Sequence, residues 1–231
     1  MKLSIVIPVH NESSTIEEVL EKVAAVELRG IEKEVIVVDD GSTDESLELI
    51  QCSHLRQTNL INVYASPINL GKGAAVRLGF SYATGDIILI QDADLELDPN
   101  EYNKLLAPIV AGNCQVVYGS RFKDGHNHIP FKSLLANRFL TLLTNILFKA
   151  RLTDMETAYK VFNSEIMRSI KLKRVGFDFE PEITAKILKA GYKIEEIAVA
   201  YNPRTSYEGK KIGWRDGIEA IWTLVACRLF D

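Results

Sequence analysis

The residues best suited to chemistry are acidic and stand where short apolar runs end. Glu12 follows Ile5-Val6-Ile7-Pro8-Val9-His10-Asn11, Asp39 and Asp40 follow Val37-Val38, and Asp92 and Asp94 follow the run ending at Gln91. Carboxylates gathered at strand ends have two common uses: they ligate a divalent cation through oxygen, or they accept hydrogen bonds from a nucleobase or ribose. Asp92-Ala93-Asp94 places two carboxylates on one tight turn with a small residue between them. Mg2+ or Mn2+ held there would bridge a diphosphate and neutralise the charge that develops as it leaves. The plain alternative is that these aspartates cap helices, and an isolated Asp-x-Asp does not choose between the two.

The elements that must position these residues alternate. Apolar, β-branched runs at 3–8, 34–39, 60–65, 86–91 and 115–119 read as strands. Between them Ser14-Thr15-Ile16-Glu17 and Ser42-Thr43-Asp44-Glu45 have the form of capping boxes, opening helices to about 28 and 53. A helix is expected over 73–83, and Asp98-Pro99 opens another with proline in its first turn. Strands apolar on both faces and separated by helices predict an α/β fold, with a mostly parallel central sheet flanked by helices. Ligands then bind beyond the carboxyl ends of the strands, where the acidic residues lie. The second half is less regular: helices over 131–150 and 179–190, strands over 159–163 and 194–199, a polar mobile loop over 201–212, and an amphipathic C-terminal helix over 214–230.

The chain of 231 residues, 47% hydrophobic and 25% charged, is long enough for a full core. Its net charge of -4 excludes an overall nucleic-acid footprint. Cys52, Cys114 and Cys227 share no metal-ligand spacing and read as small core residues in a reducing compartment. The first apolar run, ended by Pro8, is too short for a signal peptide, and no run of about 18 apolar residues predicts a membrane span. The nearest candidate, 134–148, is interrupted by Asn137, Arg138 and Asn145. A cytoplasmic location is expected. The apolar stretches 134–148 and 218–230, with Trp214 and Trp222, suit either a membrane headgroup boundary, a core-facing helix or a seam between two copies.

In order along the chain, Ile5-Val6-Ile7-Pro8-Val9-His10-Asn11-Glu12, Val37-Val38-Asp39-Asp40-Gly41-Ser42, Asn69-Leu70-Gly71-Lys72-Gly73 and Asp92-Ala93-Asp94 closely resemble the motifs of family 2 glycosyltransferases of the GT-A fold, a Rossmann-like nucleotide-diphospho-sugar domain. The resemblance implies a nucleotide-sugar core over 1–125 and an acceptor-binding part of the same domain over 126–231. It implies donor binding by Pro8, Val9, His10, Glu12, Val37, Asp39, Asp92, Ala93 and Asp94, with Asp39 on the edge of uracil or guanine and Glu12 on base or ribose. Lys72 would meet the donor phosphates. The metal would lie on Asp94, Asp92 and Glu96, the last standing where the family often has glutamine. His10 stands where the family often has tyrosine.

Gly119-Ser120-Arg121, Asp154-Met155-Glu156-Thr157-Ala158-Tyr159-Lys160 and Phe177-Asp178-Phe179-Glu180-Pro181-Glu182 resemble the polyprenyl-phosphate branch, the dolichyl-phosphate mannose synthases among them. That resemblance implies inverting transfer of a hexose from GDP-mannose or UDP-glucose to a lipid phosphate. Arg121, Arg138 and Lys160 would grip the acceptor phosphate, guanidinium matching its oxygens bidentately. Arg204, Lys210 and Lys211 would close over both phosphates. A lipid phosphate is already an anion and needs no general base, whereas a saccharide hydroxyl does. Asp154, Glu156, Asp178 and Glu180 are the candidates for that base. A hydroxyl acceptor, or a nucleotide-sugar-binding regulator without turnover, are the competing readings.

Overall fold

The computed structural model describes residues 1–123, 131–203 and 213–230. Its strands are β1 (Lys2–Val9), β2 (Glu32–Asp40), β3 (Ile61–Ser66), β4 (Ile87–Ile90), β5 (Val116–Ser120), β6 (Lys160–Asn163) and β7 (Glu195–Ala198). Its helices are α1 (Ile16–Ala25), α2 (Ser46–Cys52), α3 (Lys72–Tyr82), α4 (Tyr102–Val110), α5 (Phe131–Phe148), α6 (Ser164–Ser169), α7 (Phe179–Lys189) and α8 (Trp214–Leu229). The strands form one sheet in the order β3-β2-β1-β4-β6-β5-β7. Every pairing is parallel except those of β6, which runs antiparallel between β4 and β5. The expected α/β architecture stands, with β6 as the one reversed strand and α6 as a short helix the hydrophobic pattern did not signal.

Two cores follow from strand alternation. Leu3, Ile5, Ile7 and Val9 point to one face, under Ile16, Val19, Leu20 and Val23 of α1 and Leu105 and Leu106 of α4. Val6, Ile36, Val38, Ile88 and Ile90 point to the other, under Val76 of α3 and Phe179, Ile183 and Ile187 of α7. Each such side chain contributes about 1.5–3 kcal/mol through burial. A third cluster, Leu140, Leu152, Met155, Ala185, Ala220, Leu224 and Cys227, docks α5 and α8 onto α7. The cysteines are free, but only Cys227 is buried; Cys52 is exposed, contrary to its core reading.

Sheet register carries the acidic residues to one place. Val9 lies opposite Asp39, while β4 pairs with β1 only as far as Val6↔Ile90. The chain beyond Ile90 therefore runs on beside the end of β1, beginning with a hydrogen bond from Gln91 N–H to Val6 O. The site forms where the strand order reverses direction around β1, the usual crevice of open α/β sheets.

Both capping boxes are corrected. The first helix begins at Ile16 with no side-chain cap, and the Thr15 hydroxyl donates to the Ala93 carbonyl at 2.9 Å. The second begins at Ser46, whose N–H donates to Asp44 Oδ1 at 3.0 Å. The other polar groups lace the two loops together. Ser42 Oγ accepts from Asn11 N–H, Asn11 Oδ1 from Thr43 N–H, and Ser46 Oγ from Glu12 N–H. Asn11 adopts φ 53°, a left-handed conformation that asparagine tolerates. Asp98-Pro99 does open its helix, through a 3-10 turn in which Asp98 accepts from Asn100 N–H.

Candidate functional site

Adjacent aspartates at the end of β2 have opposite tasks, because alternation sends them to opposite faces. Asp40 accepts from Leu70 N–H at 2.8 Å and Gly71 N–H at 2.7 Å, and so fixes the loop entering α3. Its carbonyl takes a hydrogen bond from His10 Nδ1 at 3.0 Å, which pins the imidazole and places a proton on Nδ1. Asp39 is 1% exposed. Its Oδ2 accepts from Ser42 N–H at 3.2 Å, while the buried Oδ1 has no hydrogen-bond partner among the described residues. A buried carboxylate oxygen without a donor is costly, and this one stands at the strand-end crevice. Gly41 makes the turn possible: its φ is 67°, and a Cβ there would fall 2.4 Å from the Ile68 carbonyl carbon.

Asp92 and Asp94 follow β4 on the turn that Thr15 holds. Asp94 Oδ1 accepts from Glu96 N–H at 3.1 Å. Asp92 Oδ1 lies 2.8 Å from Lys72 Nζ, which also reaches Glu180 Oε1 at 3.1 Å. Burial works against the Lys72 charge, but the two carboxylates outweigh it and hold its ammonium above the usual lysine range. Glu96 already has a partner. Its Oε2 accepts from the Tyr201 hydroxyl at 3.0 Å, and among the described residues no three His, Cys, Asp or Glu side chains form a metal cage. Pro8, Val9, Val37 and Ala93 are buried, so a donor would meet their backbone rather than their side chains. Glu12 lies in the β1–α1 loop, its Oε2 3.4 Å from the Thr15 hydroxyl.

At the end of β5, Arg121 forks onto Asp154, Nε to Oδ2 at 2.7 Å and Nη2 to Oδ1 at 2.8 Å. Burial disfavours the guanidinium charge; Asp154 more than restores it. Glu196 in turn accepts from the N–H groups of Thr153 and Asp154, so a carboxylate on β7 positions the carboxylate that positions Arg121. The Tyr201 ring lies 5.2 Å from the guanidinium carbon.

One acceptor expectation changes. Lys160 is completely buried, with its ammonium on the Thr157 carbonyl and Glu180, which withholds it from an incoming phosphate. Arg138 stands exposed on α5. Arg204, Lys210 and Lys211 lie outside the described residues. Glu156 gains interest: its buried Oε1 has no hydrogen-bond partner among the described residues. Burial first, and then Glu180, push its carboxyl up to about 7 against the pull of Lys160 and Arg121.

The sequence reading named Asp40 among the strand-end carboxylates without its separate task, and it missed Tyr201 and the bridging role of Glu180. It also missed Gln91, fully buried, whose Oε1 accepts from both Tyr102 and Tyr159 hydroxyls at 2.8 Å and whose Nε2 donates to the Asp92 carbonyl at 3.0 Å. The period-two rule could have separated Asp39 from Asp40. Nothing local pointed to the others, whose partners are distant in sequence.

Comparison with known proteins agrees with this geometry. The family model of Glycosyl transferase family 2 matches residues 4–171. A dolichol-phosphate mannosyltransferase of Pyrococcus furiosus is 30% identical over 218 residues, covering 92% of this chain and 60% of that protein. The chain thus spans about three fifths of that relative's length. Among solved structures, glucosyl-3-phosphoglycerate synthase of Mycobacterium tuberculosis with Mn2+, UDP and phosphoglyceric acid superposes with a TM-score of 0.74 at 20% identity, covering 100% of this chain and 79% of that one. The same enzyme with Mg2+ and UDP gives 0.73 at 20% identity, covering 98% and 79%. Those likenesses show the shared GT-A fold, and the extent of the family match shows that this chain belongs to glycosyl transferase family 2.

Proposed function

We propose that the protein transfers a hexose from a nucleoside-diphosphate sugar to a lipid phosphate, with a divalent cation on Asp92 and Asp94. The observation that carries the donor half is Asp39 Oδ1, buried and without a donor at the crevice. A nucleobase N–H is the kind of group that satisfies such an oxygen. Two carboxylates, with no three-residue metal cage among the described residues, suit Mg2+ or Mn2+, which take one or two carboxylates and fill the remaining positions with phosphate oxygens and water. When bound, the ion neutralises charge on the leaving diphosphate. Around it this chain's residues hold the base at Asp39, bring the Lys72 ammonium to the phosphates, and set the Arg121 charge on the acceptor side. The relative from Pyrococcus furiosus supports a polyprenyl or dolichyl phosphate as acceptor, and an anionic acceptor needs no proton removed.

Peripheral membrane contact belongs to the same reading. Among the described residues no helix is long and apolar enough to cross a membrane. Leu135, Phe139, Leu142 and Ile146 are all more than half exposed along one face of α5, as are Ile218, Trp222 and Leu229 on α8, at spacings that align them on one side of each helix. Helix α5 carries no carboxylate, and Arg138, Lys149 and Arg151 are exposed on it or just beyond it, a charge pattern suited to anionic headgroups.

The test is transfer of radiolabelled sugar from GDP-mannose and UDP-glucose to polyprenyl phosphates, 3-phosphoglycerate and saccharides in parallel. Product on a polyprenyl phosphate alone is the expected result. Product only on a hydroxyl acceptor would replace the lipid-phosphate reading, and Glu156, with its free oxygen, would become the base to examine.

A further inference from the structure

Lysine is ordinarily a solvated surface residue, yet Lys72 is built into its place from both sides. The loop before it hangs from Asp40 through two backbone N–H groups. Gly71, at φ 102°, lies so close to the 174–176 segment that a Cβ would fall 2.4 Å from the Val175 carbonyl oxygen. The first turn of α3 is stitched to that segment by hydrogen bonds from Ala74 N–H to Val175 O and Gly73 N–H to Gly176 O. The segment itself is tied down by Glu182, which accepts from Lys173 and Arg174 N–H groups. Glu180, two residues earlier on α7, then holds Lys72 by one carboxylate oxygen and the buried Lys160 by the other. The ammonium that emerges from this frame, its side chain 16% exposed, lies 2.8 Å from Asp92 Oδ1.

That placement puts a fixed positive charge on one of the two carboxylates available to a metal. We propose that Lys72 is the resident counter-cation of Asp92, so that a divalent ion enters the site only together with a nucleoside diphosphate, whose phosphates take over the ammonium. The inference rests on the metal reading above and adds an order of events to it. Without nucleotide, an ion at Asp92 would face the Lys72 ammonium at close range, and with no cage of three ligating side chains among the described residues the remaining attraction comes chiefly from Asp94. With nucleotide, the diphosphate brings both the missing ligands and an anionic partner for Lys72. The exchange replaces one ion pair by another and leaves no buried charge uncompensated, the condition under which such pairs are tolerated. It also keeps the ion out of an empty site.

The experiment measures enzyme-bound Mn2+ by electron paramagnetic resonance at neutral pH, with enzyme-free Mn2+–nucleotide mixtures subtracted. Wild type, Lys72→Met and Lys72→Arg are compared alone and with UDP or GDP, each checked for folding by thermal melting. Wild type is expected to bind Mn2+ at least tenfold more tightly with the nucleotide it accepts. Lys72→Met is expected to bind nucleotide-free Mn2+ at least tenfold more tightly than wild type, while Lys72→Arg, which keeps the charge, stays near wild type. Equal nucleotide-free affinities in wild type and folded Lys72→Met would overturn the proposal. If Lys72→Met does not fold, Mn2+ binding to wild type that is as tight without nucleotide as with it overturns the proposal alone. No bound Mn2+ under any condition overturns the metal reading beneath it.

Discussion

Tyr201 donates its hydroxyl to Glu96 Oε2 at 3.0 Å, and the next residue, Asn202, donates its N–H to the Glu96 carbonyl at 2.9 Å. This double link fastens the chain leaving β7 to the turn carrying Asp92 and Asp94. The Tyr201 ring also lies 5.2 Å from the Arg121 guanidinium carbon. One side chain therefore joins the metal motif to the residue assigned to the acceptor.

Tyr201→Phe removes the hydroxyl bond and keeps the ring. Urea denaturation is expected to show a loss of about 1.5–3 kcal/mol, the usual contribution of a hydrogen bond to a charged acceptor. Tyr201→Ala loses the contact with Arg121 as well, and its midpoint should fall further. Equal midpoints for the two variants would mean that the ring adds nothing.

Asp39 and Asp40 are predicted to separate binding from stability. Asp39→Asn removes the charge behind the partnerless Oδ1, and nucleoside diphosphate affinity should fall by ~10–100-fold in titration calorimetry, with little change in melting temperature. Asp40→Asn turns an amide donor toward one of two backbone N–H groups. Its main effect should be a lower melting temperature.

Legibility in the sequence divides along the same line. Strands with apolar residues on both faces announced the sheet, and the four strand-end motifs announced the donor side, because both signals are local. The reversal of β6 was not legible: a short apolar run such as Val161-Phe162 reads alike in either direction. The capping boxes misled because their side chains bond across loops, Ser42 Oγ to Asn11 N–H and the Thr15 hydroxyl to the Ala93 carbonyl, instead of within a helix. Lys160 looked like a phosphate ligand for a similar reason. Only tertiary packing reveals that Glu180, twenty residues on, already holds it.

Glu156 should leave a pH signature in stability. Its carboxyl is pushed from an ordinary 4.5 up to about 7, so between those values the unfolded chain is ionised while the folded chain holds the proton. The folded state then binds more protons, and stability falls as pH rises across that window, by up to about 3 kcal/mol for this group alone. Below pH 4.5 both states are protonated and the difference vanishes. Glu156→Gln removes the titration, so its stability relative to wild type should grow from pH 4.5 to 7 in chemical denaturation. A constant difference would place the Glu156 carboxyl in its ordinary range.

Membrane contact through α5 and α8 predicts sensitivity to charge on their outward faces. Phe139→Glu and Trp222→Glu each place a carboxylate at a site more than half exposed, where the effect on folding should be small. Wild type is expected to float with vesicles rich in anionic lipid, and the double variant to remain in the soluble fraction. Flotation of both alike, or of neither, would remove these helices from membrane attachment.

Asp94 and Asp92 are expected to differ on losing their charge, although both sit on one turn. Asp94→Asn keeps an oxygen that can accept from Glu96 N–H, as Oδ1 does now at 3.1 Å, so the turn should survive while the charge is lost. Lewis-acid stabilisation of a leaving group is worth several kcal/mol, so radiolabelled transfer should fall by about 10³-fold with an unchanged melting temperature. Asp92→Asn also strips Lys72 of a counter-charge and leaves its ammonium to Glu180. That variant should lose transfer and also shift its melting temperature. A near-normal rate in Asp94→Asn would take Asp94 out of the metal site, and identical melting in both would mean that the Lys72–Asp92 pair contributes nothing to the fold.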